Sequence, residues 1–117
     1  MLTVKKANWQ AVNGTSLKGH IDIDYATLVK IFGKEHSDGD GYKVDCEWDL
    51  QFSNGVVATI YNYKDGKNYC GRSGLAKKNL TDWHIGGKST MAERTVEQYI
   101  EQHFALKNAK AADAAIE

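Results

Sequence analysis

Tyr42-Lys43-Val44-Asp45-Cys46-Glu47-Trp48-Asp49-Leu50-Gln51-Phe52-Ser53-Asn54-Gly55-Val56-Val57-Ala58-Thr59-Ile60-Tyr61-Asn62-Tyr63 is the stretch that decides the fold. Val44, Cys46, Trp48, Leu50 and Phe52 alternate with Lys43, Asp45, Glu47, Asp49 and Gln51, which is the period of a strand with one face buried. A second run, 56–63, follows Ser53-Asn54-Gly55, so the two runs form a hairpin whose loop length sets the pairing. A two-residue loop at Asn54-Gly55 would oppose Trp48 to Tyr61 and turn an apolar row towards water. A three-residue loop with Gly55 in the left-handed region pairs Phe52 with Val56, Leu50 with Ala58 and Trp48 with Ile60, and this register is predicted. The opposite face then carries Val57, Thr59, Tyr61 and Tyr63 beside Asp45, Glu47, Asp49 and Gln51. It reads either as a solvated face or as a partner surface, where tyrosine is favoured for its area and polar tip.

Upstream, Leu17, Gly19, Ile21 and Ile23 alternate with Lys18, His20 and Asp22, as in a half-buried strand. Asp24 is placed to cap a short helix over 24–32, with Tyr25, Leu28, Val29 and Phe32 at helical spacing and Gly33 ending it. Residues 1–14 contain Leu2, Val4, Trp9 and Val12 without a decisive period. Downstream, Lys64-Asp65-Gly66-Lys67 is a turn, Asn68-Tyr69-Cys70 a candidate short strand, 71–79 a mobile loop and 80–85 a further strand that Gly86-Gly87-Lys88-Ser89 breaks. Thr90 and Glu93 have capping-box spacing ahead of a helix over 90–108 that presents Ala92, Val96, Tyr99, Ile100, His103 and Phe104 on one stripe. The alanine-rich tail, 109–117, has little to bury and is expected to fray.

These elements predict an α+β fold: a small antiparallel sheet centred on the 42–63 hairpin, packed against the short helix and the longer C-terminal one. At 117 residues, one domain over 1–108 is expected. Fifteen basic and fifteen acidic residues give zero net charge, so composition forces neither a nucleic-acid groove nor a polyanion mimic, and nucleic acid is not indicated as a partner. No apolar run is long enough for a membrane helix, and no secretory signal is read at Met1. Cys46 and Cys70 lack metal spacing and are expected as reduced thiols in a cytoplasm.

Chemistry-bearing motifs are sparse. Asp38 and Asp40 sit in a Gly-rich turn, but the EF-hand pattern stops there, so no metal site is expected. Gly86-Gly87-Lys88-Ser89-Thr90 leads into a helix and resembles the end of a phosphate-binding loop, where backbone N–H groups and a lysine meet an anion. The leading glycine of that motif would fall at Asp82, so the reading is limited to an anion or nucleotide held by His84, Gly86, Gly87, Lys88, Ser89, Thr90 and Arg94, against a plain strand-to-helix turn. His20, Asp22 and His84 would form an acid–base group only if their strands were neighbours. No nucleophile–base signature is present, so neither a catalytic residue nor a cofactor is assigned, and a hydrolase ranks last. Tyr61, Tyr63, Lys64, Lys67, Tyr69 and Arg72 are the candidate partner-binding residues.

Over 19–87 the chain resembles small uncharacterised proteins encoded by phages and prophages. The resemblance is carried by Asp24-Tyr25, Leu28-Val29, Phe32-Gly33, Tyr42-Lys43-Val44-Asp45, Val57-Ala58-Thr59-Ile60-Tyr61-Asn62-Tyr63-Lys64 and Trp83-His84-Ile85-Gly86-Gly87. It transfers no site residue. What it implies is a setting, the host cell cytoplasm, and a non-enzymatic role: a counter-defence protein or inhibitor that binds a host protein. The alternative is sequestration of a phosphate-bearing ligand at 86–90.

Overall fold

The computed structural model describes residues 1–116, with side chains through residue 110. Among these residues, five strands form one antiparallel sheet: β1 (Val4–Lys6), β2 (Ser16–Asp22), β3 (Glu47–Phe52), β4 (Val57–Tyr61) and β5 (Asp82–Gly87), in the order β1-β3-β4-β5-β2. Four helices accompany them: α1 (Trp9–Val12), α2 (Tyr25–Phe32), α3 (Lys67–Cys70) and α4 (Met91–Ile116). The expected α+β architecture is present.

The hairpin has the predicted register. Trp48 faces Ile60 and Leu50 faces Ala58, while the Phe52 N–H donates to Val56 O at 2.9 Å. Gly55 closes the loop at φ +88°, a conformation that a side chain would strain. Trp48, Leu50, Phe52, Ala58 and Ile60 are all buried, because this register turns both apolar rows inward. Trp83 and Ile85 of β5 extend the same face, and α2 and α4 cover it with Leu28, Ile31, Ala92, Val96 and Ile100. The rings of Trp48 and Trp83 meet edge-on at 5.4 Å. Their indole N–H groups donate to Gly33 O and Ile23 O, both at 2.8 Å, so the two tryptophans hold α2 at both of its ends. Asp24 caps α2 through Thr27 N–H, and Gly33 ends it at φ +85°.

Several local expectations are corrected. The strand predicted from Tyr42 starts only at Glu47, because Asn62 Oδ1 takes the N–H groups of Asp45 and Cys46 at 2.8 and 3.1 Å. Asp40 Oδ1 likewise takes three N–H groups, from Tyr42, Lys43 and Val44, and folds the segment into a turn. Asn68-Tyr69-Cys70 lies in α3 rather than in a strand, and 71–79 contains two short 3-10 turns, Gly71–Ser73 and Lys77–Asn79. Gly86 and Gly87 continue β5 instead of breaking it, since β4 and β2 flank them on both sides. A Cβ on Gly87 would collide with Ala92, so this glycine lets α4 approach the sheet.

The capping box does not form either. Glu93 Oε2 accepts from His20 N–H at 3.0 Å, beside the register shift between Leu17 and Gly19, while the Ser89 side chain accepts from Met91 N–H. The helix continues past Asn108 to Ile116; the fraying expected over 109–117 falls mostly beyond the described side chains. Residues 1–14, without a period of their own, contribute β1 and α1. Gln102 of α4 pairs with both backbone groups of Leu2, at 2.9 and 2.8 Å, and ties this arm to the body.

Candidate functional site

Strand alternation sends Glu47, Asp49, Thr59, Tyr61 and His84 to the face of the sheet opposite the core. α1 crosses part of that face, so it is not the open surface that the hairpin pattern alone implies. Thr59 is only 4% exposed, and Glu47 and Tyr61 are half-buried.

The uncovered part carries a line of rings. His20 and His84 are cross-strand partners with ring centroids 4.5 Å apart, so β2 and β5 do bring these two histidines together. Asp22 instead faces Asp82, and it is Asp82 Oδ1 that lies 3.9 Å from His20 Nδ1. Burial, then the neighbouring His20, pushes the His84 pKa down. His84 also touches Tyr61 at 5.5 Å and stacks on Tyr63 at 5.2 Å with 30° between the planes.

Beyond Tyr63 the surface becomes basic. Tyr42 and Tyr69 lie 5.4 Å apart. The Lys43 ammonium sits 5.5 Å from the Tyr42 ring and 6.0 Å from that of Tyr63, and Lys64 sits 5.3 Å from Tyr63 and 5.5 Å from Tyr69. Among the described residues Lys64 alone, outside glycine, has positive φ, at 63°. That conformation costs on the order of 1–2 kcal/mol for a residue with a Cβ. The Lys64 N–H donates to Lys43 O at 2.9 Å, which brings the two lysines side by side. Below them lies a buried polar joint. Asn62 Nδ2 donates to Asp45 Oδ1 and Asp65 Oδ1, and Asp45 Oδ2 accepts from Asn68 N–H, which fixes the start of α3 and with it Tyr69.

Of the sequence-level partner residues, Tyr63, Lys64 and Tyr69 thus share one patch, Tyr61 reaches it through His84, and Lys67 and Arg72 are exposed on and just after α3. Tyr42 and Lys43 join the patch although the pattern placed them in a strand; the Asp40 turn that exposes them was readable only as a Gly-rich loop. The anion-site residues are divided. His84 lies on the outer face, whereas Arg94 is on α4, which covers the inner one. Gly86 and Gly87 are buried in β5, Lys88, Ser89 and Thr90 are exposed, and the Ala92 N–H is already taken by Ser89 O. Trp9, 71% exposed on α1, is a large apolar surface that no sequence signal marked.

At the covered end of the same face, Glu47 and Asp49 form a carboxyl pair. Burial first, then the hydrogen bond and charge of Asp49 and the charge of Asp40, push the Glu47 pKa up to about 8. Glu47 therefore holds its proton at neutral pH and donates it to Asp49. Asp49 Oδ1 is fully buried with no donor of its own, so the shared proton is what the pair otherwise lacks. His36 packs alongside, its Nδ1 accepting from Asp49 N–H at 2.9 Å, and burial followed by Lys6 keeps its pKa low.

Among the described residues no group of three His, Cys, Asp or Glu side chains could hold a metal ion, and no helix is long and apolar enough to cross a membrane. No protein-family model and no curated protein matches the chain.

Proposed function

We propose that this chain is a non-enzymatic binding protein whose working surface is the patch of Tyr42, Tyr63, Tyr69, Lys43 and Lys64. The observation that carries the reading is the exposure of three tyrosines, 58%, 37% and 42%, whose ring faces share two lysine ammonium groups. Large rings with polar tips are the usual anchors of protein interfaces, and they cost little side-chain entropy to fix. Lys67 and Arg72 extend the positive charge in a chain that is neutral overall, so the complementary partner is a protein with an acidic face. The setting implied by the phage resemblance fits this: a small protein that occupies a host factor's surface and blocks it in the host cytoplasm.

The test is affinity capture from host lysate with the wild-type chain, with the Lys43→Glu/Lys64→Glu pair and with Tyr69→Ala. A specific partner should be captured by the wild type, weaken with salt and be lost in both variants. Their stability should stay within about 0.5 kcal/mol of wild type, as is usual for surface substitutions. Capture that ignores the charge reversal would sink the proposal, and so would release by nuclease, which would point to nucleic acid instead.

A further inference from the structure

We propose that the free edge of β2 pairs with β2 of a second copy of this chain, antiparallel about Ile21, and that Glu93 holds this edge partly shut. The proposal does not rest on the reading of the tyrosine–lysine patch. The sheet has two edges and treats them differently. β1 is three residues long with two lysines, a usual way of blunting an edge, whereas β2 runs for seven residues with Lys18 alone, at the register shift.

The ladder fixes which groups this edge offers. Ile23 N–H donates to Thr81 O at 3.0 Å, so in the same pairing Ile21 turns its backbone groups to β5, while Asp22 and His20 turn theirs outward. One outward residue on either side of Ile21 suits a twofold axis: Asp22 pairs with His20 of the second copy, and His20 with its Asp22. Ile21, half-buried, then meets its own counterpart.

The side chains select a second copy as the occupant. Asp22 stands directly opposite Asp82 on β5, carboxylate against carboxylate, and His20 stands opposite His84, imidazole against imidazole. Like groups that face each other across a ladder are unfavourable within one copy, and among the described residues no cation pairs with Asp22. The twofold about Ile21 sets the carboxylate row of each copy end to end with the imidazole row of the other, so N–H donors meet acceptors across the seam. An unrelated strand would have to carry the same alternation, whereas a second copy carries it by symmetry.

Glu93 is the latch. Its Oε2 takes the outward His20 N–H at 3.0 Å, and Gly19 admits it, since a Cβ there would collide with the carboxylate. While the latch is closed, the seam has only the two Asp22 N–H groups to donate; the two His20 N–H groups join when Glu93 lets go. The wild-type dimer is therefore weak and reversible, as small interfaces are.

Sedimentation velocity of the intact chain over a concentration series, with amide hydrogen exchange at low and high concentration, tests this. The wild type should shift from monomer towards dimer as concentration rises, and exchange of the Asp22 amide should slow in step. Glu93→Ala should tighten the dimer about tenfold, as freeing two hydrogen-bond donors does. Asp22→Lys and His20→Asp should each abolish pairing, because like charges then face each other across the seam. An equimolar mixture of these two variants should pair, since each supplies what the other lacks, and this rescue decides the matter even if Glu93→Ala fails to fold. Monomers at every concentration in the wild type, in Glu93→Ala and in the mixture would overturn the proposal and leave the edge to solvent. So would a dimer that persists in either charge variant alone, which would place the contact elsewhere, at exposed Trp9 or on α4.

Discussion

Asn62 stands in for a stretch of sheet. Its amide closes four hydrogen bonds, two received from the N–H groups of Asp45 and Cys46 and two given to Asp45 and Asp65, all inside the protein. Asn62→Ala would leave these groups buried and unpaired, and a loss of about 2–4 kcal/mol is expected, read by urea denaturation. A change within about 0.5 kcal/mol would show that the 38–46 loop is held by something else. Nothing in Tyr61-Asn62-Tyr63 announces this role, because the main partners of Asn62, Asp45 and Cys46, lie on the other arm of the hairpin and a strand pattern tolerates a polar residue at that position. Lys64 offers the opposite case, with local strain in place of long-range bonding. Lys64→Gly should relieve its positive φ and hold or raise stability by about 0.5–1 kcal/mol, while weakening partner capture by the patch. A variant that loses both would mean that Lys64 supports the fold rather than the surface.

The hairpin was legible at the scale of elements because period, loop chemistry and burial all agreed on one register. Its anchor is Trp48, fully buried against Trp83 and bonded to the end of α2. Trp48→Ala is expected to cost about 3–5 kcal/mol, and a melting temperature equal to wild type would contradict the packing described. α1 was illegible for a physical reason. A single turn of helix gains almost nothing from propensity, so Trp9–Val12 is set by tertiary contacts and by the Asn8 cap, none of which has a period to read. Without α1 the outer face reads as an open surface, solvated or partner-binding, and neither the burial of Thr59 nor the carboxyl pair is visible. Gly86 and Gly87 misled in the other direction. Their propensity says break, yet close approach of Thr59 and Ala92 requires residues without side chains at these two strand positions.

Across the whole molecule, two acids make stability depend on pH in opposite directions. Burial would raise the Glu35 pKa, but hydrogen bonds from Tyr25 at 2.6 Å and from Lys77 outweigh it and hold the group below its ordinary value of 4.5. Its contribution is complete above that value and is lost as pH falls through the lower folded one. Glu47 has the reverse sign: its pKa rises from 4.5 to about 8, so its contribution is full below 4.5 and disappears as pH climbs through about 8. Stability should therefore peak in the mildly acidic range, and Glu47→Gln should abolish the decline on the alkaline side. Denaturation midpoints measured across that range would decide it; an identical alkaline decline in the variant would show that Glu47 is not its source.

The strand order also dictates how the molecule can come into being. β5 lies between β4 and β2, so the whole of β2 must wait for a partner that begins at Asp82, long after Asp22 has been made. At a synthesis rate of ~5–20 residues per second, that interval is about 3–12 s. The arm that starts at Leu2 waits longer still, for Gln102. A nascent chain that still lacks β5 can pair β1, β3 and β4 but leaves β2 an orphan strand, for chaperones and proteases to contest.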